Sequence, residues 1–298
     1  MKKILITGSN GLLGQKLVDK LKQHKKFELI ASSRGENRIS DKSGYVYEDL
    51  DITDREAVLA CFEKHRPEIL INTAAMTNVD ACEENKAQCW KLNVDAVSYL
   101  NEAAEKHQTH FIHLSTDFVF DGEDGPYKEE DQPNPLSYYG ESKLAAEKLL
   151  QQSKTKHAIV RTILVYGIVE DMSRSNIVLW AKGALEKKEK LNIVNDQYRT
   201  PTLAEDLADG CILIAEKAAE GIFHISGKDM MRIDELVRRV AKHYNLDDSF
   251  IHEVSSASLN QRAKRPSKTG FILDKARNVL NYQPHSFEEG MTKLDEQL

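Results

Sequence analysis

Short runs of apolar residues alternate along the first half of the chain with longer segments whose apolar positions recur at helical spacing. Ile4–Ile6 is apolar throughout, and Leu12, Leu13, Leu17, Val18 and Leu21 follow as one face of a helix. The same reading gives strands at Phe27–Ala31, Tyr45–Tyr47, Ile69–Ile71, Phe111–Leu114 and Ala158–Val160. Helices are expected around Val58, Leu59 and Phe62, continuously from Glu84 to Lys106, and over Ser137–Gln152. Six βα units in succession predict an α/β fold with a doubly wound parallel sheet. After Arg161 the rhythm loosens. Helices are expected at Ile177–Lys187, Ala204–Lys217, Ile233–Tyr244 and Asp274–Leu280, with short strands at Leu191–Val194 and Ile222–Ile225. Ser255–Thr269, polar and without period, reads as a loop. The pattern divides the chain into a dinucleotide-binding domain, 1–165, completed by parts of 198–226, and a smaller mixed α/β C-terminal lobe, 166–298, mainly for substrate.

Composition adds exclusions. Of 298 residues, 41% are hydrophobic and 30% charged, which suits a globular chain with a substantial core. Lys and Arg number 41 against 47 Asp and Glu, a net charge of −6, which argues against a sequence-independent grip on nucleic acid. A polyanionic ligand must therefore be met by a local basic site. Cys61, Cys82, Cys89 and Cys211 contain no CxxC pair and read as reduced thiols of a cytoplasmic protein. The apolar run after Lys3 is too short for a signal peptide, and no stretch approaches the ~18 apolar residues of a membrane span, so no membrane partner is expected. Trp90 and Trp180 fall in helical segments and are expected in the core.

Candidate chemistry sits at the junctions of the predicted units. Thr7-Gly8-Ser9-Asn10-Gly11-Leu12-Leu13-Gly14 joins the first strand to the first helix. Gly8 suits a tight turn, Gly11 a close approach of backbone to pyrophosphate, and Gly14 close packing of the helix on the sheet. The helix N-terminus would face the phosphates. At the end of the second strand, Ser33-Arg34 offers a cation where an NAD-specific site places an acid, so the expected cofactor is NADPH, with NADH as the alternative. Tyr139 and Lys143 stand one helical turn apart on one face. An ammonium there would favour the phenolate, bringing a poor acid toward the working range. Thr116 or Ser115, at the end of the fifth strand, could donate to a substrate carbonyl as it gains negative charge.

These motifs resemble the extended short-chain dehydrogenase/reductases. Asn72-Thr73-Ala74-Ala75-Met76-Thr77-Asn78-Val79-Asp80, Leu92-Asn93-Val94, Ser115-Thr116-Asp117-Phe118-Val119-Phe120 and Tyr139-Gly140-Glu141-Ser142-Lys143 are similar to the dTDP-4-dehydrorhamnose reductase family, as are Asp196-Gln197, Pro201-Thr202 and Arg265-Pro266. The resemblance implies a Rossmann-type, NADP-dependent oxidoreductase acting on a 4-keto-6-deoxy sugar nucleotide in dTDP-rhamnose biosynthesis. It makes Thr116, Tyr139 and Lys143 the catalytic trio, with Tyr139 protonating the sugar oxygen as hydride arrives and Lys143 holding the nicotinamide ribose. Gly8, Asn10, Gly11, Leu12, Leu13, Gly14 and Arg34 would bind the cofactor with Asp51 and Ile52 beside the adenine, and Ala74, Ala75 and Asn93 lining or supporting the site. Thr77, Asp117, Leu164 and Arg199 are assigned to the substrate side. Leu164 stands where the family has a tryptophan, and Arg199 stands in a segment usually built of small residues, where it could meet the diphosphate. A homodimer is compatible with the resemblance.

Two other readings share these motifs. One is a sugar-nucleotide epimerase or dehydratase with retained NAD, against which Ser33-Arg34 counts. The other is a non-catalytic NADP-binding subunit resembling the regulatory subunit of methionine adenosyltransferase. His107, His110 and His113 straddle a helix end and a strand without an acidic partner, so no metal is expected. The basic loop around Arg262 and Arg265 has no role assigned by the sequence.

Overall fold

The computed structural model describes residues 1–171, 175–259 and 261–298. Its first half runs β1 (Lys2–Thr7), α1 (Leu12–Leu21), β2 (Phe27–Ser33), β3 (Val46–Asp49), α2 (Arg55–His65), β4 (Ile69–Asn72), α3 (Val79–Glu84), α4 (Lys86–Trp90), α5 (Ala96–His107), β5 (His110–Thr116), α6 (Tyr138–Gln151) and β6 (His157–Thr162). A seventh strand, Gly221–His224, pairs with β6, so the spatial order is Gly221–His224, β6, β5, β4, β1, β2, β3, and every pairing is parallel.

The strands are apolar at nearly every position because both sheet faces are covered. Ile4, Ile6, Leu29, Ala31, Ile69, Ile71 and Ile112 point into one apolar layer, shared with α1 and with α8 (Ala204–Lys217). Their neighbours Leu5, Ile30, Leu70 and Phe111 point into the other, with Val58 and Phe62 from α2, Leu100 from α5 and Leu150 from α6. A third apolar cluster forms the smaller lobe. It joins Val178 and Leu185 of Ile177–Glu186, Leu236 and Val240 of Ile233–His243, and Met291 and Leu294 of Phe287–Asp295. There Leu191–Val194 pairs in parallel with Ile251–Val254.

The structure departs from the sequence reading in four places. β2 is followed directly by β3, with no helix between them, so the expected succession of six βα units is broken there. The long helix expected from Glu84 to Lys106 is α4 and α5 joined through a π-helical turn, Lys91–Asp95, preceded by α3. Apolar periodicity carries across such a turn, so it was not visible in the spacing. The last expected helix is a π-helical turn at Ala276–Leu280. Trp90 and Trp180 are 38% and 44% exposed instead of buried. Trp90 lies against Tyr138, with ring centroids 6.2 Å apart. Among the described residues no helix is long and apolar enough to cross a membrane.

Candidate active site

Sheet order reverses between β1 and β4, and the loops leaving the carboxyl ends of these strands diverge there to leave a crevice. The glycine loop lines it. Gly8 has φ 77°, and a Cβ there would lie 2.7 Å from Thr73 Oγ1 and 2.8 Å from Ala74 N. A Cβ at Gly14 would lie 2.2 Å from the Gly8 carbonyl oxygen, so this glycine closes α1 onto the loop itself more than onto the sheet. Gly11 is the N-cap of α1. No side chain caps the helix, and its first turn, from Leu12 and Leu13 onward, carries no acid. Unclaimed N–H groups at the positive end of a helix dipole, in a first turn without an acid, suit a pyrophosphate. Asn10 braces the loop against the β2–β3 connection, donating to Glu36 O at 2.8 Å and accepting from Arg38 N at 3.0 Å.

Arg34 extends from the end of β2 with its side chain 77% exposed, 3.9 Å from Asp51 Oδ2. Asp51 accepts from Thr53 N and Thr53 Oγ1, and Ile52 beside it is buried. A phosphate near Arg34 would find a cation held only by an exposed, weak pairing.

Tyr139 and Lys143 lie in the first turns of α6, whose N-cap Ser137 accepts from Gly140 N. Both are buried. Thr116 ends β5 and accepts from Phe118 N, while its hydroxyl donates to Asp117 Oδ1 at 3.0 Å. Burial raises the Tyr139 phenol above its ordinary value, a side-chain hydrogen bond with Thr116 pulls the other way, and the Asp117 carboxylate adds to the rise. Burial also lowers Lys143 to about 8, against an opposing pull from Glu147. The direction for the phenol is thus opposite to the depression expected from an adjacent ammonium, and burial is its largest cause. Of the two hydroxyls left open by the sequence, Ser115 faces away, donating to Glu147 Oε1, and Thr116 is the one beside Tyr139.

Asn93, within the π-helical turn, accepts from Met76 N at 2.8 Å and donates to Met76 O at 3.1 Å and Ser142 Oγ at 3.0 Å. It ties the loop after β4 to α6, and so sets the half-buried Ala74 and Ala75 against the crevice. Inward placement of a polar side chain at a π turn is a recurrent device at functional sites. Thr77 is exposed at the crevice edge.

On the side assigned to substrate, Arg199 departs from its expected place. It is buried, its Nε lies 3.6 Å from Asp117 Oδ2, and its guanidinium donates to the carbonyls of Tyr198, Ser267 and Pro266. It is a structural tie and not a free cation. Asp117 also accepts from Thr269 Oγ1, and burial raises its carboxyl despite Arg199. Leu164 has φ 40°, is half-buried and packs between the apolar clusters of the two lobes. The stretch 262–265 docks on α3: Arg265 donates to both Asp80 oxygens, Ala263 N to Asp80 Oδ1, and Arg262 pairs with Glu84.

Sequence reasoning missed the layer beneath the site. His113 Nε2 lies 3.3 Å from Lys143 Nζ, and its Nδ1 lies 3.2 Å from Asn72 Nδ2. One helical turn on, Glu147 receives Arg161 through Nε at 3.0 Å and Nη2 at 2.7 Å. Two residues of strand rise about 6.6 Å and four of helix about 6 Å, so His113 and Ser115 on β5 register with Lys143 and Glu147 on α6. The available signal was this pair of polar residues two apart in an otherwise apolar strand. His107 instead lies against Glu63, and His110 is buried elsewhere.

The model of the RmlD substrate binding domain family matches residues 1–298. The chain is 31% identical to a dTDP-4-dehydrorhamnose reductase of Aggregatibacter actinomycetemcomitans, over 99% of this chain and 98% of that one. It is also 31% identical to methionine adenosyltransferase 2 subunit beta of Danio rerio, over 89% of this chain and 81% of the relative. Its structure superposes on a dTDP-4-dehydrorhamnose reductase of Bacillus anthracis, solved in complex with NADP, with a TM-score of 0.85 over the whole of both chains at 25% identity.

Proposed function

The chain belongs to the RmlD substrate binding domain family and is an NAD(P)-dependent oxidoreductase, and we propose that it uses NADPH to reduce a 4-keto-6-deoxy sugar nucleotide, dTDP-4-dehydrorhamnose or a close relative. The observation that supports this reading is the meeting of Tyr139 and Thr116 at the carboxyl end of β5, with Lys143 one helical turn on in α6. We take residues 1–165, with the strand 221–224, as the cofactor side and 166–298 as mainly the sugar side. Four free, buried cysteines suit the reducing cytoplasm, which we take as its compartment.

The cofactor supplies a hydride to the keto carbon. The chain supplies the rest. Backbone N–H groups at the start of α1 hold the pyrophosphate, Arg34 the 2′-phosphate, and Ala74 and Ala75 the wall against which the nicotinamide half lies. As negative charge grows on the sugar oxygen, the Thr116 hydroxyl donates to it and the Tyr139 O–H transfers its proton. Burial keeps the phenol protonated, and the side-chain hydrogen bond with Thr116, which pulls the other way, brings it back toward the working range of a general acid. Lys143 holds the nicotinamide ribose. Thr77 and the neighbourhood of Leu164 border the sugar.

The test is NADPH oxidation with a set of keto-sugar nucleotides. Turnover of dTDP-4-dehydrorhamnose or a relative is expected, and no oxidation with any of them would defeat the reading. The similarity to methionine adenosyltransferase 2 subunit beta favours a second one. A chain that binds NADPH, oxidises none of it, and forms a stable complex with a methionine adenosyltransferase catalytic subunit would establish that alternative.

A further inference from the structure

A continuous hydrogen-bonded chain runs under the site from the glycine loop to Lys143. Thr7 Oγ1 donates to Asn72 Oδ1 at 2.6 Å, and Ala74 N donates to the same oxygen at 3.2 Å. A backbone N–H can only donate, so the amide atom facing Ala74 is the oxygen and the one facing His113 is the NH2 group. Asn72 Nδ2 therefore donates to His113 Nδ1, which must carry a lone pair. His113 is fully buried, and burial by itself favours the uncharged ring, holding its pKa well below the ordinary value. A neutral imidazole with a lone pair on Nδ1 has its proton on Nε2. That proton points at Lys143 Nζ, 3.3 Å away. An ammonium would set N–H against N–H at this contact, whereas a neutral amine accepts the bond.

We propose that His113 is a positioning residue that biases the protonation state of Lys143: its Nε2–H favours the neutral amine in the cofactor-free chain, and the bias is released as Lys143 turns from His113 toward a bound nicotinamide ribose and gains a proton from solvent. The second half rests on the cofactor reading above, and the first does not. The other titratable groups around Lys143 are Tyr139 and Glu147 on α6, Cys82 on α3 and Cys89 on α4. Glu147, engaged by Arg161 and Ser115, and the two cysteines all pull toward the charged lysine, and burial outweighs them. The arrangement makes cofactor binding and lysine charging one event, so the charge arises where the ribose and the Tyr139 phenol can use it.

Two substitutions invert the logic by different routes. In Asn72→Asp a carboxylate replaces the NH2 group, draws the imidazole proton to Nδ1 and leaves an Nε2 lone pair facing the lysine. In His113→Gln the side-chain carbonyl can accept from an ammonium directly. With [15N]histidine in the cofactor-free chain, the resonance lost in His113→Gln should show the Nε2–H tautomer in wild type and the Nδ1–H tautomer in Asn72→Asp. Calorimetry of NADPH binding at pH 9 in buffers of different ionisation enthalpy should show uptake of about one proton in wild type and markedly less in both variants, whose lysine is already charged. A wild-type Nδ1–H tautomer would overturn the proposal, as would proton uptake that is absent in wild type or equal in all three. A chain that binds no NADPH would overturn the cofactor reading, while the tautomer measurement would still decide the His113–Lys143 contact.

Discussion

Arg199 and Asp117 form a buried pair, Nε to Oδ2 at 3.6 Å, that joins the start of the smaller lobe to the strand end carrying Thr116. The guanidinium also holds the carbonyls of Ser267 and Pro266, so one side chain anchors the residues that follow the stretch docked on α3. Its removal would leave the buried Asp117 carboxylate without its cation and take the Arg199 donor from the Pro266 carbonyl. Arg199→Ala should therefore destabilise the fold by roughly 3–5 kcal/mol, read as a lower midpoint in urea. Unchanged stability with only a raised KM for substrate would return Arg199 to the diphosphate role.

Tyr139→Phe keeps the ring that meets Phe118 edge-on at 5.8 Å and deletes the O–H. We expect turnover to fall by about 10²–10⁴-fold with NADPH affinity nearly unchanged. A folded variant keeping more than about a tenth of wild-type turnover would remove Tyr139 from the acid role.

Arg34→Ala should weaken NADPH binding by about 1.5–3 kcal/mol, the worth of a hydrogen bond to a charged group, and leave NADH binding alone. Calorimetric titration of both cofactors decides it. Equal wild-type affinities for the two would contradict the assignment of the 2′-phosphate to this arginine.

Gly14→Ala places a methyl group 2.2 Å from the Gly8 carbonyl oxygen, a contact backbone must move to relieve. A loss of about 1–3 kcal/mol is expected, as for other overpacked sites, together with loss of NADPH binding as α1 is pushed off the loop. Thermal unfolding with and without NADPH measures both, and a variant with wild-type midpoint and ligand-induced shift would refute the close packing.

Leu164→Trp restores an aromatic face between the lobes, with an indole N–H that leucine lacks. If the sugar lies against this position, kcat/KM for dTDP-4-dehydrorhamnose should rise. Efficient wild-type turnover of that substrate, not improved by the change, would show that another part of the lobe supplies the sugar's contacts.

Much of this was legible before any coordinates. Strands buried on both faces carry short apolar runs, so β1, β2, β4, β5 and β6 stood out, and the glycine loop, Arg34, Tyr139 and Lys143 were marked by local spacing, since a turn and a helical face are local objects. The π-helical turn around Asn93 was hidden, because adding one residue per turn alters the phase of a helix without interrupting its apolar pattern.

What the sequence by itself determined is therefore the parallel sheet and the elements on which the glycine loop, Arg34, Tyr139 and Lys143 stand. The tertiary structure alone decided the rest: that Thr116 and not Ser115 meets Tyr139, that Arg199 is spent on Asp117 and carbonyls 67 and 68 residues away, and that His113 lies against Lys143. Protonation and charge availability depend on burial and on partners brought from distant segments, and those terms exist only once strand and helix are packed in register.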